Sequence, residues 1–366
     1  MATFDPKTPY NNLPLLPPEY DIESKVIMKK CIGARTALAE LKQAGEIIPN
    51  QSVLINTIPL LEAKTSSEIE NIVTTQDELF KYVSVDETHA DPATKETLHY
   101  RRALSYGCEM IKQRPVSTRL AIEICSQILK TDVSIRTQPG TVLSTPFEVI
   151  YTPPVGSDVI EEKMSNWEHF LNERFDLDPL VRMAVMHYQF EAIHPFRDGN
   201  GRTGRLLNIL FLIHVGVLEI PVLYLSKYIL ENRAGYYNSI RCVTERGEWE
   251  DWILYMLDGV EQMAHWTHRK IRAIRDLLEH TCDTVRAKAG KIYSRELVDI
   301  IFTQPYCRIQ NVVDAGIAQR QTASVYLKKL VEIGVLDEQQ SGRERLFIHP
   351  KFLNLLKSDE NEFMRY

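Results

Sequence analysis

The chain has 366 residues, which is long enough for two or three domains of ordinary size. Hydrophobic residues make up 44% and charged residues 25% of the sequence, as in soluble globular proteins. The formal net charge of -6 argues against a protein that coats nucleic acid without sequence preference, although a local basic surface remains open.

The start of the chain and its cysteines indicate the compartment. Residues 1–18 lack the basic and apolar regions of a signal peptide. The most apolar stretch, 206–225, is interrupted by Asn208, Glu219 and Pro221, so we expect a buried helix and no membrane span. Six scattered cysteines without a zinc-binding spacing are typical of reduced thiols, and we expect a cytoplasmic protein.

In chain order, the spacing of apolar residues predicts a mainly α fold. Helices are expected at 22–43, 58–72, 98–113, 117–130, 157–176, 179–192, 200–214, 226–264 and 265–288. The exception is the segment 136–156, which has a turn at Pro139-Gly140, a β-rich run and a stop at Pro153-Pro154. This pattern predicts a β-hairpin flap within a helical protein.

The C-terminal region has a different pattern. Three short helices are expected within 294–334, and two strands follow around Ser341 and Gly342. A helix-turn-helix followed by a hairpin is typical of a winged helix. We therefore divide the chain into an N-terminal helical region 1–112, a core 113–264, a connector helix 265–290 and a winged helix-turn-helix domain 291–366.

The stretch EAIHPFRDGNGRTGR concentrates glycines and charged residues at one helix entrance. Gly199, Asn200 and Gly201 would let successive N–H groups face one point, which makes a site for phosphate. Arg202 and Arg205 lie on one face of the helix that follows, and two guanidinium groups suit an oligophosphate tail.

Two further residues of this stretch suit nucleotide chemistry. Asp198 stands where a carboxylate would repel phosphate, so it is expected to bind a Mg²⁺ ion that bridges phosphate oxygens. His194 ends the preceding helix, where it could take a proton from an attacking hydroxyl. The usual nucleotide motifs are absent, since the chain has no GxxxxGK[ST] and no GxGxxG that follows a strand.

The segment HPFRDGNGRTGR resembles the full signature of the Fic family, with every signature position matched. The segments YTPP, SKYILENRAGYY and WEDWILYML also resemble Fic features, so the similarity extends over most of the chain. The resemblance implies a Fic-fold helical core and transfer of AMP from ATP to a Ser, Thr or Tyr hydroxyl of a protein. It implies that His194 is the base and that Asp198 holds Mg²⁺.

The resemblance also implies which residues contact the nucleotide and the target. Phe196 would pack under the loop, and Asn200 would bond the α-phosphate. Thr244 stands where some relatives have an asparagine that contacts the nucleotide. The residues expected to contact ATP are Gly199, Asn200, Gly201, Arg202, Thr203, Gly204, Arg205 and Tyr236, with Tyr237 also flanking the adenosine pocket. The flap residues expected to align a target by strand addition are Glu148, Val149, Ile150, Tyr151 and Thr152.

The segment SSEIEN resembles the inhibitory motif of self-inhibited Fic proteins, with Ser66, Glu70 and Asn71 at its defining positions. From the residues alone, Ser66 and Glu70 would be neighbours on one helix face, which is commonly a solvated pair. With the resemblance, we expect Glu70 to fork onto Arg205, occupy the guanidinium meant for the γ-phosphate and leave ATP misaligned.

Several other polar residues receive structural interpretations. His187 is expected to be packed and hydrogen-bonded, and Glu191 is expected to be a charge at a helix end. His265, His268 and His280 lack a third ligand at a metal-site spacing, so they are expected to be solvated or packed.

The winged helix offers a candidate surface for DNA. The residues expected to face outward on its recognition helix and wing are Arg320, Gln321, Ser324, Lys328, Arg343 and Arg345. Acidic neighbours leave this segment nearly neutral overall, so DNA binding and docking of a protein remain equally open.

Three functions remain open from the sequence. The leading hypothesis is a self-inhibited protein adenylyltransferase that acts on an unidentified protein, with self-modification under forcing conditions and a homodimer as further expectations. The second is removal of AMP, or transfer of another nucleotide-linked group, by the same site. The third is a DNA-binding regulator whose core senses nucleotide, although the intact His194 and Asp198 count against it.

Overall fold

The computed structural model describes residues 4–48, 50–83, 87–144, 148–341 and 344–366. Its helices are α1 Lys25–Ile47, α2 Ser52–Ile69, α3 Gln76–Tyr82, α4 Pro92–Met110, α5 Thr118–Leu129, α6 Ser157–Glu173, α7 Pro179–Ile193, α8 Asn200–His214, α9 Leu225–Glu231, α10 Arg233–Arg246, α11 Trp249–Ala289, α12 Arg295–Thr303, α13 Ile309–Asp314, α14 Arg320–Glu332 and α15 Pro350–Lys357. Its strands are β1 Leu143–Ser144, β2 Val149–Tyr151, β3 Tyr306–Cys307, β4 Asp337–Ser341 and β5 Glu344–Ile348. The fold is mainly α, which confirms the predicted fold class.

The centre of the molecule is the helix pair α7 and α8. Nearly every side chain of α7 is buried, and such a helix belongs in the middle of a fold. Asp178 begins α7, because its carboxylate accepts the N–H of Leu180 at 2.8 Å and Pro179 occupies the first helical position. Helices α4, α5, α6 and α11 pack around the pair, so the loop that joins α7 to α8 is held in a rigid frame.

Helix α11 runs unbroken from Trp249 to Ala289, and α1 packs along it. The predicted helix boundary between residues 264 and 265 is wrong, because buried apolar residues continue at helical spacing through this point and no proline interrupts them. The breaks come earlier. Gly247 adopts a φ of +70° and ends α10, so the segment predicted as one helix, 226–264, contains α9, α10 and the start of α11.

The flap forms as a short antiparallel pair, with Leu143 of β1 opposite Tyr151 of β2. A hairpin within 136–156 is therefore confirmed, while Phe147, part of its predicted β-rich run, lies outside the described residues. The N-terminal segment lies beside the end of this hairpin, since the N–H of Tyr10 donates to the carbonyl of Thr152 at 3.0 Å.

The C-terminal domain combines α12, α13 and α14 with a three-stranded sheet in the order β3-β5-β4. The sequence missed β3 and α15, because two-residue strands and single short helices depend on partners distant in the chain. This domain packs on the N-terminal region, with α12 against α2. Asp77 of α3 accepts from Lys357 at 2.7 Å and from the Tyr306 hydroxyl at 2.6 Å. Gly342 and Arg343, predicted in the wing, lie outside the described residues.

Among the helices in the described part of the chain, none combines the length and the apolar character needed to cross a membrane.

Candidate active site

His194 directly follows α7 and adopts left-handed backbone angles, φ 50° and ψ 59°. A non-glycine residue in this region is conformationally costly, so neighbouring contacts must hold it. The buried guanidinium of Arg136 donates to the carbonyls of His194 at 2.7 Å and Ile193 at 3.1 Å. The hydroxyl of Tyr151, in the flap, donates to the carbonyl of Ala192 at 2.7 Å. Arg136 and the flap therefore fix the backbone that carries His194.

The electrostatics around His194 favour its neutral form. Burial lowers the pKa of His194 to about 4, although the backbone carbonyl of Glu191 opposes the shift. The Nδ1–H group of the ring faces that carbonyl at 3.4 Å, which leaves Nε2 with its lone pair. A neutral imidazole is the form that accepts a proton, so His194 is suited to act as a general base near neutral pH.

The side chain of Asn200 locks the loop between α7 and α8. Its Oδ1 accepts the N–H of Phe196 at 2.8 Å, and its Nδ2 donates to the carbonyl of Phe196 at 2.8 Å. Both residues are buried, and the ring of Phe196 packs edge-on to Phe190. Because the Asn200 side chain is bonded within the loop, its backbone N–H and the second N–H of Nδ2 are the donors left for the predicted bond to the α-phosphate.

Helix α8 begins at Asn200 with an open N-terminus, since no side chain in the described residues caps its first N–H groups. Gly199 has a φ of +80°, and a Cβ at this position would stand 3.0 Å from the sulfur of Cys125. The residue must therefore be glycine for reasons of both conformation and space. Uncapped N–H groups at a helix start, with the positive end of the helix dipole behind them, can bind an anion.

Asp198 and Arg202 form the exposed side of the site. The Asp198 side chain is 74% exposed, and its Oδ1 accepts the N–H of Gly199 at 2.6 Å and lies 3.6 Å from Arg202 Nη2. The Arg202 side chain is buried, and its Nη1 donates to the carboxylate of Glu96 on α4. The Nε–H of Arg202 has no acceptor among the described residues. Nη1 is thus the nitrogen of Arg202 that binds Glu96, and Nη2 is the one that lies toward the exposed Asp198.

Arg205, one turn farther along α8, has more of its donors engaged. Its Nε donates to Ser66 Oγ at 2.9 Å, and its Nη2 donates to the Ser66 carbonyl at 3.0 Å and to Glu70 Oε1 at 2.7 Å. Glu70 therefore contacts Arg205 as the sequence predicted. The prediction that Glu70 binds Arg205 through a fork of two hydrogen bonds is wrong. Nε of Arg205 donates to Ser66, and Glu70 accepts one hydrogen bond, from Nη2.

Glu70 reaches Arg205 because α2 ends at Ile69. Asn71 adopts a φ of +64°, and asparagine is one of the few residues that tolerate this left-handed conformation after a helix. Arg233 donates to the carbonyl of Ile69 at 2.9 Å and so fixes the end of the helix. Glu70 is thus the residue that caps the helix end, with its side chain turned onto α8.

The contact between Glu70 and Arg205 joins two charged groups. Burial alone would raise the pKa of Glu70, but the guanidinium groups of Arg205 and Arg202 bring it below its ordinary value. Burial would likewise lower the pKa of Arg205, but Glu70 raises it above the ordinary value. Both groups remain charged at neutral pH, so the contact is an ion pair.

Three of the predicted ATP contacts lie where helices meet closely. A Cβ on Gly201 would collide with Glu70 Oε1, and a Cβ on Gly204 would lie 2.5 Å from Glu191 Oε1. Thr203 is fully buried. Thr203 and Gly204 therefore have packing roles in this structure, and their contact with ATP stays a prediction.

Glu191 lies near the end of α7, as expected, and is half-buried, with its Oε1 turned into the protein. Its Oε1 has no hydrogen-bond partner among the described residues. Burial raises the pKa of Glu191 to about 7, against the opposing effect of Arg205. The group lies directly behind the α7–α8 contact, so it is sensitive to the charge on Arg205.

Tyr236 and Tyr237 occupy different environments. Tyr236 is buried, and its hydroxyl lies 2.8 Å from Nε2 of His187, which is packed and hydrogen-bonded as predicted. Tyr237 is 47% exposed. Thr244 is buried and its hydroxyl lies 3.0 Å from that of Tyr188. The proposed role of Tyr236 and Tyr237 as two walls of an adenosine pocket stays a prediction.

The flap residues divide into an accessible part and a buried part. Glu148 is exposed, Val149 and Ile150 are half-buried, and Tyr151 and Thr152 are buried. Thr152 also donates from Oγ1 to the carbonyl of Pro6 at 2.7 Å. The accessible edge is therefore shorter than predicted, and it ends where the N-terminal segment meets the hairpin.

Sequence reasoning missed two residues that hold the site, Arg136 and Glu96. Neither belongs to a motif, since Arg136 lies in a loop before the flap and Glu96 is one charged residue on an amphipathic helix. Each becomes recognisable only through its partner on the other side of a tertiary contact.

On the winged helix, Arg320, Gln321 and Lys328 are exposed and Ser324 is half-buried. Arg345 of the wing is paired with Glu338, with Nη1 and Oε1 2.8 Å apart. The charge of Arg345 is thus partly neutralised on the protein itself.

Comparison with known protein families assigns three parts of the chain. Residues 28–109 match the family described as Fic/DOC family N-terminal, and residues 115–212 match the Fic/DOC family. Residues 277–352 match the C-terminal domain of SoFic-like protein adenylyltransferases.

Curated relatives match about a third of the chain. Protein adenylyltransferase fic-1 of Caenorhabditis elegans is 33% identical over 121 residues, which is 32% of this chain and 22% of the relative. Protein adenylyltransferase Fic of Drosophila virilis is 32% identical over 111 residues, 30% of this chain and 21% of the relative. The match thus spans only about a fifth of the length of these relatives.

Solved structures share the fold. A Fic family protein from Desulfovibrio desulfuricans G20 superposes with a TM-score of 0.52 at 18% identity, over 87% of this chain and 95% of that one. A fragment of Fic-1 from Caenorhabditis elegans gives a TM-score of 0.52 at 20% identity, over 66% of this chain and 72% of that one.

Proposed function

We propose that this chain is a protein adenylyltransferase of the Fic/DOC family, whose models match residues 28–109 and 115–212, and that it transfers AMP from ATP to a hydroxyl group of a protein. The observation that carries the proposal is the position of His194, at the end of α7 with Nδ1 toward the carbonyl of Glu191, just before the open N-terminus of α8. Arg202 and Arg205 lie buried on that same helix and supply positive charge for a triphosphate. The names of the matched relatives support the same activity.

The geometry suggests a role for each group. The N–H groups at the start of α8 would bind α- and β-phosphate oxygens, and Arg202 and Arg205 would hold the β- and γ-phosphates. Nε2 of His194 would take the proton of the target hydroxyl, whose oxygen then forms a bond to the α-phosphorus. The bond from the α-phosphorus to the bridging oxygen breaks in line, so pyrophosphate leaves and AMP stays on the target.

Asp198 is the residue that would hold Mg²⁺. Its carboxylate is exposed at the mouth of the anion site, which fits a metal ion placed between protein and phosphate. The described residues contain no group of three acidic, histidine or cysteine side chains able to hold a metal. One carboxylate suits Mg²⁺, which takes its other ligands from phosphate and water. When bound, the ion would neutralise charge on the phosphates.

We further propose that Glu70 inhibits the resting chain. Glu70 occupies Nη2 of Arg205 and lies against the backbone of Gly201, so a γ-phosphate cannot use the whole guanidinium. ATP that binds beside Glu70 would have its α-phosphorus out of line with the attacking hydroxyl. A displacement of about 1 Å can cost roughly a hundredfold in rate.

The test is incubation of the purified chain with Mg²⁺ and ATP labelled at the α-phosphate. We expect weak transfer of label to protein from the native chain, and strong transfer from Glu70→Gly. The matched control is Glu68→Gly, because Glu68 lies in the same helical turn but pairs with Lys64 and not with α8. Equal labelling by Glu70→Gly and Glu68→Gly would show that Glu70 is not an inhibitor.

Absence of label from every variant would contradict the adenylyltransferase proposal itself. The same proteins would then be offered a substrate that already carries AMP, because removal of AMP uses the same groups. Release of AMP by the native chain, lost in His194→Ala, would identify the second reaction.

A second candidate function concerns the winged helix. We propose that the exposed face of α14 binds DNA, supported by the accessible side chains of Arg320, Gln321 and Lys328. Arg320→Ala and Lys328→Ala should weaken sequence-specific DNA binding and leave label transfer unchanged. Selected oligonucleotides in a mobility-shift assay provide the measurement, and binding that is unaffected by both changes would contradict this proposal.

We also propose a cytoplasmic location, supported by six cysteines that are all free thiols. A homodimer stays a prediction, which light scattering coupled to size-exclusion chromatography would test. The target protein is the partner that the structure does not identify, and self-modification would make this chain its own first acceptor.

A further inference from the structure

We propose that Glu96 is a positioning residue, which orients Arg202 for phosphate and holds its guanidinium short of a hydrogen bond with Asp198. This inference rests on the proposed function, because it assigns a role within the same site. Glu96 lies outside the α7–α8 loop, on the fifth residue of α4.

The contact between Glu96 and Arg202 is the first observation. Glu96 accepts from Nη1 of Arg202, and only 3% of the Arg202 side chain is exposed. Water cannot solvate a guanidinium buried to this degree, so its orientation is determined by the carboxylates beside it. Those carboxylates are Glu96 at close contact and Asp198 at 3.6 Å.

The donors left over on the two arginines show that Glu96 and Glu70 have different roles. Arg202 retains an Nε–H with no acceptor in the described residues, but this atom is buried, so the donor that it offers to phosphate with Glu96 in place is Nη2. Arg205 has both Nε and Nη2 engaged by Ser66 and Glu70. Phosphate therefore competes with Glu70 for Nη2 of Arg205, whereas Nη2 of Arg202 stays available beside Glu96.

The backbone of α4 supports a fixed position for Glu96. Asp91 begins the helix by accepting the N–H of Thr94 at 3.0 Å, Pro92 follows at the first helical position, and α4 packs against α8. Glu96 is therefore presented from a well-anchored first turn. Glu70, by contrast, follows the last residue of α2, and the bond from Arg233 to the carbonyl of Ile69 holds that end in place.

Without Glu96, Asp198 would be the remaining carboxylate near Arg202. The guanidinium would turn toward it, and an Arg202–Asp198 ion pair would compete with a metal ion for the same oxygen atoms. Loss of Glu96 should thus weaken nucleotide binding chiefly by raising the Mg²⁺ concentration that binding requires. A partner that orients a binding group in this way is commonly worth about tenfold or more in affinity.

The test is made in Glu70→Gly, so that inhibition does not obscure the result. The probe is adenosine 5′-(α,β-methylene)triphosphate, whose α–β bridge cannot be cleaved, and calorimetry measures its affinity at several Mg²⁺ concentrations. We expect Glu96→Ala to weaken binding about tenfold at low Mg²⁺, with partial recovery as Mg²⁺ increases. Glu96→Gln should restore most of the affinity, because its amide oxygen still accepts from Nη1.

Glu109→Ala is the matched control, since Glu109 lies on the same helix and pairs with Lys112 at the surface. Thermal unfolding of each variant checks that it folds, and Glu96→Gln keeps the test valid where Glu96→Ala does not fold. Equal or tighter binding in Glu96→Ala, or a Glu96→Gln as weak as Glu96→Ala, would overturn the proposal. Label transfer is measured separately, so nucleotide binding without any transfer would contradict the enzyme activity and leave the role of Glu96 intact.

Discussion

Arg202 and Arg205 are the same residue type, one turn apart on one helix, yet their surroundings differ. Arg202 meets one close carboxylate and has a buried Nε–H without an acceptor in the described residues, whereas Arg205 is engaged by a hydroxyl, a carbonyl and a carboxylate. The comparison teaches that the availability of an arginine for phosphate depends on which of its N–H donors already bind other groups of the protein.

The two carboxylates also differ in how they are supported. Glu70 and Glu96 have similar side-chain exposure, 37% and 34%, so access to solvent does not distinguish them. Glu70 follows the last residue of α2, while Glu96 lies within α4. Helix ends open at lower free-energy cost than helix interiors, so Glu70 is the better placed of the two to move.

The largest expected effect comes from removing His194, the proposed general base. In Glu70→Gly, the further change His194→Ala should lower label transfer by about a thousandfold, because no other group is placed to take the proton. Binding of the methylene analogue should change little, since the phosphate contacts remain. His214→Ala, an exposed histidine at the end of α8, is the control. Label transfer that persists in His194→Ala would show that a group other than His194 takes the proton.

The next largest effect should come from removing the hydrogen bonds that fix the loop between α7 and α8, which precedes both arginines. Asn200→Ala removes two buried hydrogen bonds to Phe196, so the loop loses its fixed path. In Glu70→Gly, we expect transfer to fall about a hundredfold through misplacement of the phosphates. We also expect the melting temperature to fall by a few degrees. Asn238→Ala, at an exposed position of α10, should change neither quantity.

A smaller effect should separate the two arginines directly. Ser66→Ala removes the acceptor of Arg205 Nε and leaves Arg202 untouched. With one donor freed for phosphate, we expect several-fold more label transfer than from the native chain, and less than from Glu70→Gly. Ser67→Ala is the matched control, because the Ser67 hydroxyl has no partner in the described residues. A decrease in transfer would mean that Ser66 orients Arg205 for phosphate.

The smallest expected effect is a pH dependence of the free energy of unfolding, which comes from Glu191 near Arg205. The pKa of Glu191 is raised to about 7 in the folded protein, above its unfolded value, so the folded state binds more protons between these two values. The stabilisation from Glu191 is therefore present at low pH and lost as pH rises through about 7. We expect the difference in melting temperature between the native chain and Glu191→Gln, native minus variant, to fall by about 2–4 °C between pH 5.5 and 8.5. Glu109→Gln should show no such trend, and an identical trend in both variants would contradict the raised pKa.

Much of the fold and of the candidate site could be predicted from local sequence. The residues from His194 to Arg205 lie together because they are consecutive around one helix start, and glycines at 199 and 201 permit the backbone that their neighbours need. The α7–α8 pair, the flap and the winged helix each carry their own pattern of apolar, turn and capping residues. The contact of Glu70 with Arg205 could be predicted only from the resemblance of the segment SSEIEN to the inhibitory motif.

Tertiary structure alone decided the partners that connect separate elements. Arg136 holds the backbone of His194, and Glu96 holds Arg202. Oε1 of Glu191 is buried without a hydrogen-bond partner among the described residues. Nothing near these residues in the sequence indicates any of these features. The single continuous helix α11 and the inward turn of Thr152 were decided in the same way. The physical reason is that a charged or polar side chain has no fixed partner along a helix or loop. Its partner is whichever group the packing of other elements brings within hydrogen-bond distance.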